Sequence, residues 1–370
     1  MAEMMKFGDF ASFRYGKMPI KKKITESGKY PIYSGYRYVG FYDEYNTEAD
    51  QLIIVARGVG GTGDVKLTKD RCYLTNLSIA ANIDSNVVLS EYLYYYFKQR
   101  SLRYLDSGSA QSQITISDLE RVMIPIPPLS DQKAICSYLK LLDGKIQNNK
   151  KINENLEQQA QAIFANEFLA LESLPDGWKR GSLIDIADYL NGLAMQKYRP
   201  AADEVGIPVL KIKELRQGCC DDTSEVCSPN IKTNYIIHDG DVIFSWSGSL
   251  LVDFWCGGIC GLNQHLFKVT SSVYDKWFYY AWTKHHLERF IAVAADKATT
   301  MGHIKRDELS KAEVLIPNKA DYNRIGSLLH PIYDLIITNR IESKKLAETR
   351  DTLLPKLMSG EIDISEVDYE

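Results

Sequence analysis

The sequence has no run of about 18 or more apolar residues, the length that a membrane-spanning helix needs. Its first ten residues lack the apolar segment of a secretory signal peptide. The seven cysteines are an odd number without framework spacing, which favours reduced thiols over a disulfide-rich secreted fold. We therefore expect a cytoplasmic protein without membrane contact.

Signatures of catalysis are also missing. The chain has no G-x-x-x-x-G-K-[ST] phosphate loop, no H-E-x-x-H metal motif, no G-x-S-x-G elbow and no Asn-Pro-Pro-aromatic run. We predict that this chain performs no catalysis and holds no cofactor or metal of its own. Clustered cysteines leave a zinc site as an alternative, but no paired C-x-x-C supports it. These are Cys219, Cys220, Cys227, Cys256 and Cys260.

One glycine-rich segment, Gly58 to Gly63, matches the G-x-G-x-x-G pattern of nucleotide-binding turns. Such a turn needs a helix directly after it, so that the phosphate meets free helix N–H groups. The following residues, 64–73, alternate like a strand instead. The pattern therefore favours a glycine-rich β-turn.

The overall charge is −4, with 45% apolar and 25% charged residues, which are globular values. Residues 1–129 contain 16 Lys and Arg against 14 Asp and Glu, a difference of +2. Phosphate contact requires a local basic surface rather than a basic chain. Charge alone therefore neither supports nor excludes DNA as a partner.

The most informative positive feature is an internal repeat. From Ile114 to Leu156, many residues recur without a gap 190 positions later, from Ile304 to Leu346. Gly16 recurs at Gly192, at an offset of 176. A period this long indicates a duplicated domain-plus-helix unit, not a solenoid of about 20–50 residues per repeat. The predicted two-fold symmetry suits a long, roughly two-fold partner, for which DNA is the leading candidate.

Each repeat ends in apolar residues that step alternately by four and three, which is typical of a coiled-coil seam. The first helix would follow the extended segment 123–129, with Ser130 as its N-cap. Pro331 predicts a kink or a late start in the second helix. The predicted seam consists of Ile135, Leu139, Leu142, Ile146, Asn149, Leu156, Ile325, Leu329, Ile332, Ile336, Asn339 and Leu346.

Packing seam on seam would make the helices antiparallel, with one domain at each end. A helix of about 35 residues would be about 52 Å long. The two seam asparagines, Asn149 and Asn339, either fix the register as a buried polar pair or mark a solvated gap.

We thus predict an α+β protein with a pseudo-two-fold internal repeat. Two globular α/β domains, at 1–129 and 171–318, would be separated by two long antiparallel coiled-coil helices. These helices would occupy 130–170 and 319–358, followed by a tail at 359–370.

Three segments resemble one family. They are Ile-Pro-Ile-Pro-Pro-Leu-Ser-Asp-Gln at 124–132, preceded by the polar loop 107–115, then Leu-Pro-Asp-Gly-Trp-Lys-Arg at 174–180, and the C-terminal segment 350–362. In these segments and in the order of its parts, the chain is similar to the specificity subunit of type I restriction–modification enzymes. It departs from the pattern at 315–322, where the double proline is lost.

The resemblance implies two target recognition domains, each of which reads one half of a split double-stranded DNA target. The helices would act as spacers and dock two methyltransferase (modification) subunits, and restriction (translocase/nuclease) subunits would join the complex. S-adenosylmethionine, ATP and Mg would belong to those partner subunits. Because the two domains differ in their side chains, we expect an asymmetric, bipartite target with an unread spacer.

Candidate DNA contacts are basic, amide and hydroxyl side chains, which bind phosphates or base edges. In the first domain they are Lys21, Lys22, Lys23, Ser34, Arg37, Arg57, Ser109, Gln111, Ser112 and Gln113. In the second domain they are Lys211, Lys213, Arg216, Ser247, Gln264, His265, Lys297, Thr299, Thr300, His303 and Lys305. For subunit docking we favour outward charges on the helices, namely Lys140, Lys145, Lys150, Arg340, Lys344 and Lys345.

Two other functions remain open at this point. The chain could be a stand-alone methyltransferase that binds S-adenosylmethionine at Gly58 to Gly63, or a structural protein whose helices bridge two protein-binding domains.

Overall fold

The computed structural model describes residues 2–35, 37–58, 61–106, 112–296 and 306–362. Contacts divide the chain into two compact units. The first combines Met1–Gly144 with Ala347–Glu370, and the second is Lys145–Leu346. Each long helix contributes one part to each unit, so this division cuts through the helices. The predicted domain boundaries, which set the helices apart as separate segments, stay a prediction.

The globular part of the first unit mixes short strands with three short helices. Its elements are β1 (Glu3–Lys6), α1 (Phe7–Phe10), β2 (Ala11–Tyr15), β3 (Tyr30–Ser34), β4 (Arg37–Tyr42), β5 (Leu52–Val55), β6 (Val65–Leu67), β7 (Tyr73–Leu74), β8 (Ser78–Ile83), α2 (Ser90–Gln99), α3 (Ile116–Glu120) and β9 (Met123–Ile126). The long helix α4 (Leu129–Phe164) follows and ends in a π-helical turn, Ala165–Leu169.

The second unit repeats this arrangement. Its elements are β10 (Lys179–Ser182), α5 (Leu183–Ile186), β11 (Asp188–Asn191), β12 (Ile207–Leu210), α6 (Ile212–Gln217), β13 (Val226–Cys227), β14 (Ile236–Ile237), β15 (Val242–Ser245), β16 (Leu251–Phe254), β17 (Cys260–Leu262), β18 (Leu266–Thr270), α7 (Lys276–His285), α8 (Leu287–Asp296), α9 (Arg306–Ser310) and β19 (Glu313–Ile316). The second long helix is α10 (Lys319–Ser359).

Sheet order confirms the repeat. The main sheet runs β2-β8-β5-β6 in the first unit and β11-β18-β15-β16 in the second. Each unit also has a second sheet with one parallel pair, β4-β3-β7 with the pair β3 and β7 in the first unit and β13-β12-β17-β14 with the pair β12 and β17 in the second. A ribbon of β1 with β9, or β10 with β19, precedes each long helix. The inner strands β5 and β15 are buried along their whole length, which explains their uninterrupted apolar sequence.

Gly16 and Gly192 occupy equivalent positions at which another backbone segment lies too close to leave room for a Cβ. A Cβ on Gly16 would lie 2.3 Å from the carbonyl oxygens of Leu74 and Thr75, and a Cβ on Gly192 would lie 2.2 Å from that of Asn263. Both glycine amides also donate to the facing segment, Gly16 to the carbonyl of Ser78 and Gly192 to that of Leu266. The recurrence of glycine at this offset therefore reflects one packing constraint that occurs twice.

The prediction of Ser130 as N-cap was wrong, and so was the late start, one of the two alternatives predicted at Pro331. The first helix begins at Leu129, so Ser130 lies inside it, and its hydroxyl donates to the Asp131 carboxylate instead of capping the helix. The second helix begins at Lys319 and continues through Pro331 without a late start. A proline costs a helix one backbone hydrogen bond, and the tertiary packing of α10 outweighs that loss here.

Within each unit the two long helices pack on one another. In the first unit, Ile135 and Leu139 of α4 share a buried cluster with Leu354 and Leu357 of α10. In the second unit, contacts pair rising numbers on α4 with falling numbers on α10, so the helices are antiparallel there. These contacts are Asn149 with Ser343, Glu157 with Arg340, and Glu167 with Arg324. Among the described residues, neither of these helices nor any other has a stretch apolar enough to cross a membrane.

Candidate nucleic-acid interface

Several predicted DNA contacts in the first unit lie together where strand ends meet. Arg57 follows β5 and forms an isolated antiparallel bridge with Gln113. The turn between β3 and β4 pairs Ser34 with Arg37. This turn is tied to the β7–β8 connection, because Ser78 Oγ donates to the Gly35 carbonyl over 3.5 Å.

The β7–β8 connection completes this surface. Thr75 Oγ1 lies 3.4 Å from Ser34 Oγ, and the Arg57 amide donates to the Leu77 carbonyl over 3.1 Å. Asn76 lies between these two contacts in sequence. We define the first polar edge as Ser34, Arg37, Arg57, Asn76 and Gln113.

Two atoms of the first polar edge are buried without a hydrogen-bond partner among the described residues, Arg57 Nε and Asn76 Oδ1. Leaving a buried donor or acceptor unpaired costs about 1–3 kcal/mol. The backbone N–H of the neighbouring Gln113 is satisfied, since it donates to Asp106 Oδ1 over 2.9 Å. The Ser112 hydroxyl also donates to Asp106. The predicted contacts Ser109 and Gln111 lie outside the described residues.

The predicted lysine cluster of the first unit lies elsewhere. Lys21, Lys22 and Lys23 form an exposed 3-10 turn, and the preceding Ile20 amide donates to the Tyr42 hydroxyl at the far end of β4. Five strand residues span about 17 Å at about 3.3 Å each, which separates this end of β4 from Arg37. The structure therefore does not bring the lysines and the first polar edge together.

The second unit places a different set of side chains at the equivalent positions. Ser247 lies at the end of β15, as Arg57 does after β5, and its Oγ is 3.1 Å from His265 Nδ1. Gln264 and His265 occupy the β17–β18 connection, so Gln264 is the counterpart of Asn76. Arg216 of α6 donates to the Ser249 hydroxyl in the same region. We define the second polar edge as Lys211, Arg216, Ser247, Gln264 and His265.

The two described lysines that were predicted as DNA contacts in the second unit pair with acidic side chains. Lys211 Nζ lies 2.6 Å from Glu225 and Lys213 Nζ lies 3.2 Å from Asp221. The hydrogen bond from Lys211 lowers the pKa of Glu225, and bonds from Thr223, Gln217 and Lys213 hold the pKa of Asp221 below its ordinary value.

These ion pairs are exposed, so each stabilises the fold little, and a phosphate could replace the carboxylate. The remaining predicted contacts of this unit lie outside the described residues, namely Lys297, Thr299, Thr300, His303 and Lys305.

Sequence reasoning missed several residues at these edges. Asn76 carries no motif, but matching the strand connections of the two repeats would have paired it with Gln264. Trp246 was also missed, although its indole donates to Asn191 Oδ1 over 3.0 Å beside the second polar edge. The identical offset of β5 and β15 was the available signal, because it makes the residues that follow both strands equivalent.

All predicted seam residues are at least half-buried. Those fully buried are Ile135, Leu139, Asn149, Ile325, Leu329, Ile336 and Asn339. Those half-buried are Leu142, Ile146, Leu156, Ile332 and Leu346.

The seam asparagines belong to a polar cluster between the helices. Asn149 Nδ2 donates to Glu342 Oε2 over 2.6 Å and to Ser343 Oγ over 3.2 Å. Asn339 Nδ2 donates to Asn153 Oδ1 over 2.9 Å. The two asparagines thus form a buried polar layer, which is the first of the two interpretations that the sequence left open.

The charged helix residues proposed for subunit docking differ in how exposed they are and in which ion pairs they form. Arg340 is only about a quarter exposed and pairs with Asp253 and Glu157 of its own unit, so it was wrongly placed on a free outward face. Lys140 pairs with Glu91 over 2.5 Å and Lys145 with Glu342 over 3.4 Å.

The cysteines do not form a metal cluster in the part of the chain that the structure describes. Cys220 and Cys260 are neighbours, with 3.5 Å between their sulfur atoms, and all seven thiols are free. Burial raises the pKa of Cys256 to about 11, so this thiol stays protonated near neutral pH. The glycine-rich segment leads into strand β6, which pairs with β5, so no helix follows to receive a phosphate.

Comparison with known proteins shows which family the two repeats match. The family model described as type I restriction modification DNA specificity domain matches residues 2–158 and 175–348. These two matched spans correspond to the two repeats.

Individual relatives match over most of their length. The type I restriction enzyme MjaIX specificity subunit of Methanocaldococcus jannaschii is 29% identical over 322 residues, covering 79% of this chain and 74% of the relative. The HindI specificity subunit of Haemophilus influenzae is 21% identical and covers 75% and 79%. The type I restriction-modification S subunit from M. genitalium shares the fold, with a TM-score of 0.63, 18% identity and coverage of 96% and 95%.

Proposed function

Because the chain belongs to the type I restriction modification DNA specificity family, we propose that its two units read the two halves of an asymmetric, bipartite DNA target. The observation that carries this proposal is the pair of polar edges. They occupy equivalent positions in a repeated fold but present different side chains. Two copies of one fold that present different side chains to DNA would recognise two half-sites of different sequence.

Each edge combines the two kinds of contact that DNA recognition requires. Basic side chains bind phosphates and fix the register, whereas amides, arginines and hydroxyls read base edges in the grooves. On the first edge Arg37 would serve the backbone, while Arg57 and Asn76 face the bases. On the second edge, Lys211 would exchange its carboxylate partner for a phosphate, as would Lys213, which lies two residues further along the chain. Gln264 and His265 would face the bases.

We further propose that the long helices dock two modification subunits, and that restriction subunits join this complex. S-adenosylmethionine, ATP and Mg would bind to those partner subunits. The partner subunits would methylate adenine and cleave DNA, while this chain would recognise the target sequence. Exposed lysines on the helices, Lys150 on α4 and Lys345 on α10, are the best candidates for docking contacts.

The test is a selection from random duplex DNA with the purified full-length chain. We expect two short conserved blocks of different sequence, separated by a spacer of fixed length without sequence preference. We also expect affinity to fall steeply with salt, since phosphate contacts release counterions. Selection of no sequence, combined with flat salt dependence, would favour a structural spacer protein.

Titration calorimetry with S-adenosylmethionine tests the alternative that this chain is a stand-alone methyltransferase. We expect no heat of binding from the isolated chain, because a strand follows the glycine-rich segment. Saturable binding of the cofactor by this chain alone would favour a stand-alone methyltransferase.

A further inference from the structure

The first polar edge contains one unpaired buried donor and one unpaired buried acceptor. Among the described residues, neither Arg57 Nε nor Asn76 Oδ1 has a hydrogen-bond partner. Arg57 and the connection that contains Asn76 are adjacent, because the Arg57 amide donates to the Leu77 carbonyl over 3.1 Å. Folded proteins almost always satisfy such groups. Two exceptions on neighbouring segments of one surface suit a ligand that supplies both a donor and an acceptor.

This combination distinguishes a base edge from a phosphate. A DNA phosphate offers only acceptor oxygens, which would satisfy Arg57 but not the acceptor Asn76 Oδ1. The major-groove edge of DNA offers both kinds of group, because guanine presents O6 and N7 as acceptors and adenine presents N7 as an acceptor and N6–H₂ as a donor. An arginine fork matches guanine, and an asparagine amide matches adenine.

Among the described residues of the second polar edge, the positions equivalent to Arg57 and Asn76 do not hold such a pair of unpaired atoms. Ser247 replaces Arg57, and its hydroxyl already lies 3.1 Å from His265 Nδ1. Gln264 replaces Asn76, and its Nε2 lies 3.4 Å from His265 Nε2. The arginine–asparagine combination is thus a property of one polar edge and therefore of one half-site.

We propose that Arg57 and Asn76, which lie on neighbouring backbone segments of the first polar edge, determine the specificity of one half-site, Arg57 by reading a guanine and Asn76 by reading an adenine next to it. This inference rests on the proposed function. Arg57 and Asn76 would recognise base pairs of one half-site, and the second unit would recognise the other half-site.

The experiment repeats the random-duplex selection with single variants of the full-length chain. Arg57→Ala should abolish the preference at one G·C position, and discrimination there should fall by roughly 10- to 100-fold. Arg57→Lys retains the charge but loses the fork, so it should retain overall affinity and lose much of the discrimination. Neither variant should alter the other half-site.

Asn76→Asp gives a directional test. Aspartate has only acceptor oxygens, and acidic side chains accept from the N4 amino group of cytosine. We expect the adenine preference at the neighbouring position to change toward cytosine.

Arg71→Ala is the matched control, since Arg71 is an exposed arginine of the same unit whose Nε donates to Glu48 over 2.8 Å. It should leave the selected sequence unchanged. Thermal melts of all variants show whether a variant that has lost its sequence preference is still folded.

The outcomes are separable. If the wild-type chain selects no sequence, the proposed function fails and the inference fails with it. If the wild type selects a bipartite sequence but folded Arg57→Ala selects the same one, the inference alone is overturned. The inference is also overturned if Arg57→Ala weakens binding to all sequences equally, because Arg57 then contacts only phosphate.

Discussion

Single residues in this chain often have a role that only their surroundings reveal. Gly16 and Gly192 were visible in the sequence as a repeated pair, but the reason, a carbonyl about 2 Å from any added Cβ, required the structure. Arg57 could be predicted as a DNA contact from its type and its place after an apolar strand. Asn76 carries no motif, and only a match of the strand connections of the two repeats, which pairs it with Gln264, could have indicated it; that its side-chain oxygen is buried and unpaired among the described residues required the structure.

Replacing Gly16 by alanine should destabilise the first unit. The added methyl would overlap backbone atoms that cannot move without disturbing β7, at a cost of about 1–3 kcal/mol. Gly144 provides the control, because it lies in α4 with nothing within 4 Å of an added Cβ. Gly144→Ala should stabilise the helix by about 0.5–1 kcal/mol. Urea midpoints followed by circular dichroism measure both, and equal shifts for the two variants would contradict the packing constraint.

A buried histidine predicts acid sensitivity of the second unit. Burial lowers the pKa of His286, whose Nε2–H donates to the Glu313 carbonyl over 2.8 Å. The unfolded chain therefore binds a proton more readily, so stability is present above the unfolded pKa and falls as pH decreases from about 7 to about 5. His286→Gln should flatten this dependence, as shown by urea midpoints across the range.

The exposed His330 is the control for that measurement. His330→Gln should retain the pH dependence of the wild type. If His286→Gln retains the same slope as well, the acid sensitivity arises from other groups.

At the level of elements, the sequence predicted the long helices well, because a coiled-coil seam is a periodic pattern that packing requires. The predicted starts at 130 and 319 lie within one residue of the observed Leu129 and Lys319, although the N-cap role of Ser130 was wrong. Proline at 331 is tolerated inside α10, since one lost hydrogen bond is small beside the apolar contacts of a long helix. The small sheets could not be predicted at all, because β7, β13 and β14 are two residues long and are defined by pairing with distant strands.

The polar layer between the helices should contribute to stability. Asn339→Ala removes the donor to Asn153 Oδ1 and leaves a buried acceptor unpaired, at a cost of about 1–3 kcal/mol. Asn155→Ala changes an exposed asparagine of α4 and should stay within about 0.5 kcal/mol. Urea unfolding of the two variants compares them directly. Equal stability of both would show that the layer is not a determinant of helix packing.

For the whole molecule, the repeat is the feature from which most of the function follows. The duplicated sequence predicted a repeated domain-plus-helix unit, and the matching sheet orders of the two units agree with that prediction. It could not predict which side chains meet at each edge, since those contacts join loops from three or four separate segments. Under the proposed function, recognition by two different edges on one scaffold would make each half-site depend on one unit alone.

Domain duplication tests that dependence most directly. In a chain whose residues 171–318 are replaced by a second copy of residues 1–129, both globular domains carry the first polar edge. Selection from random duplex DNA should then yield a target whose two halves share one sequence, identical to one half of the wild-type target. Retention of the original asymmetric target by this folded chain would contradict independent reading of one half-site by each domain.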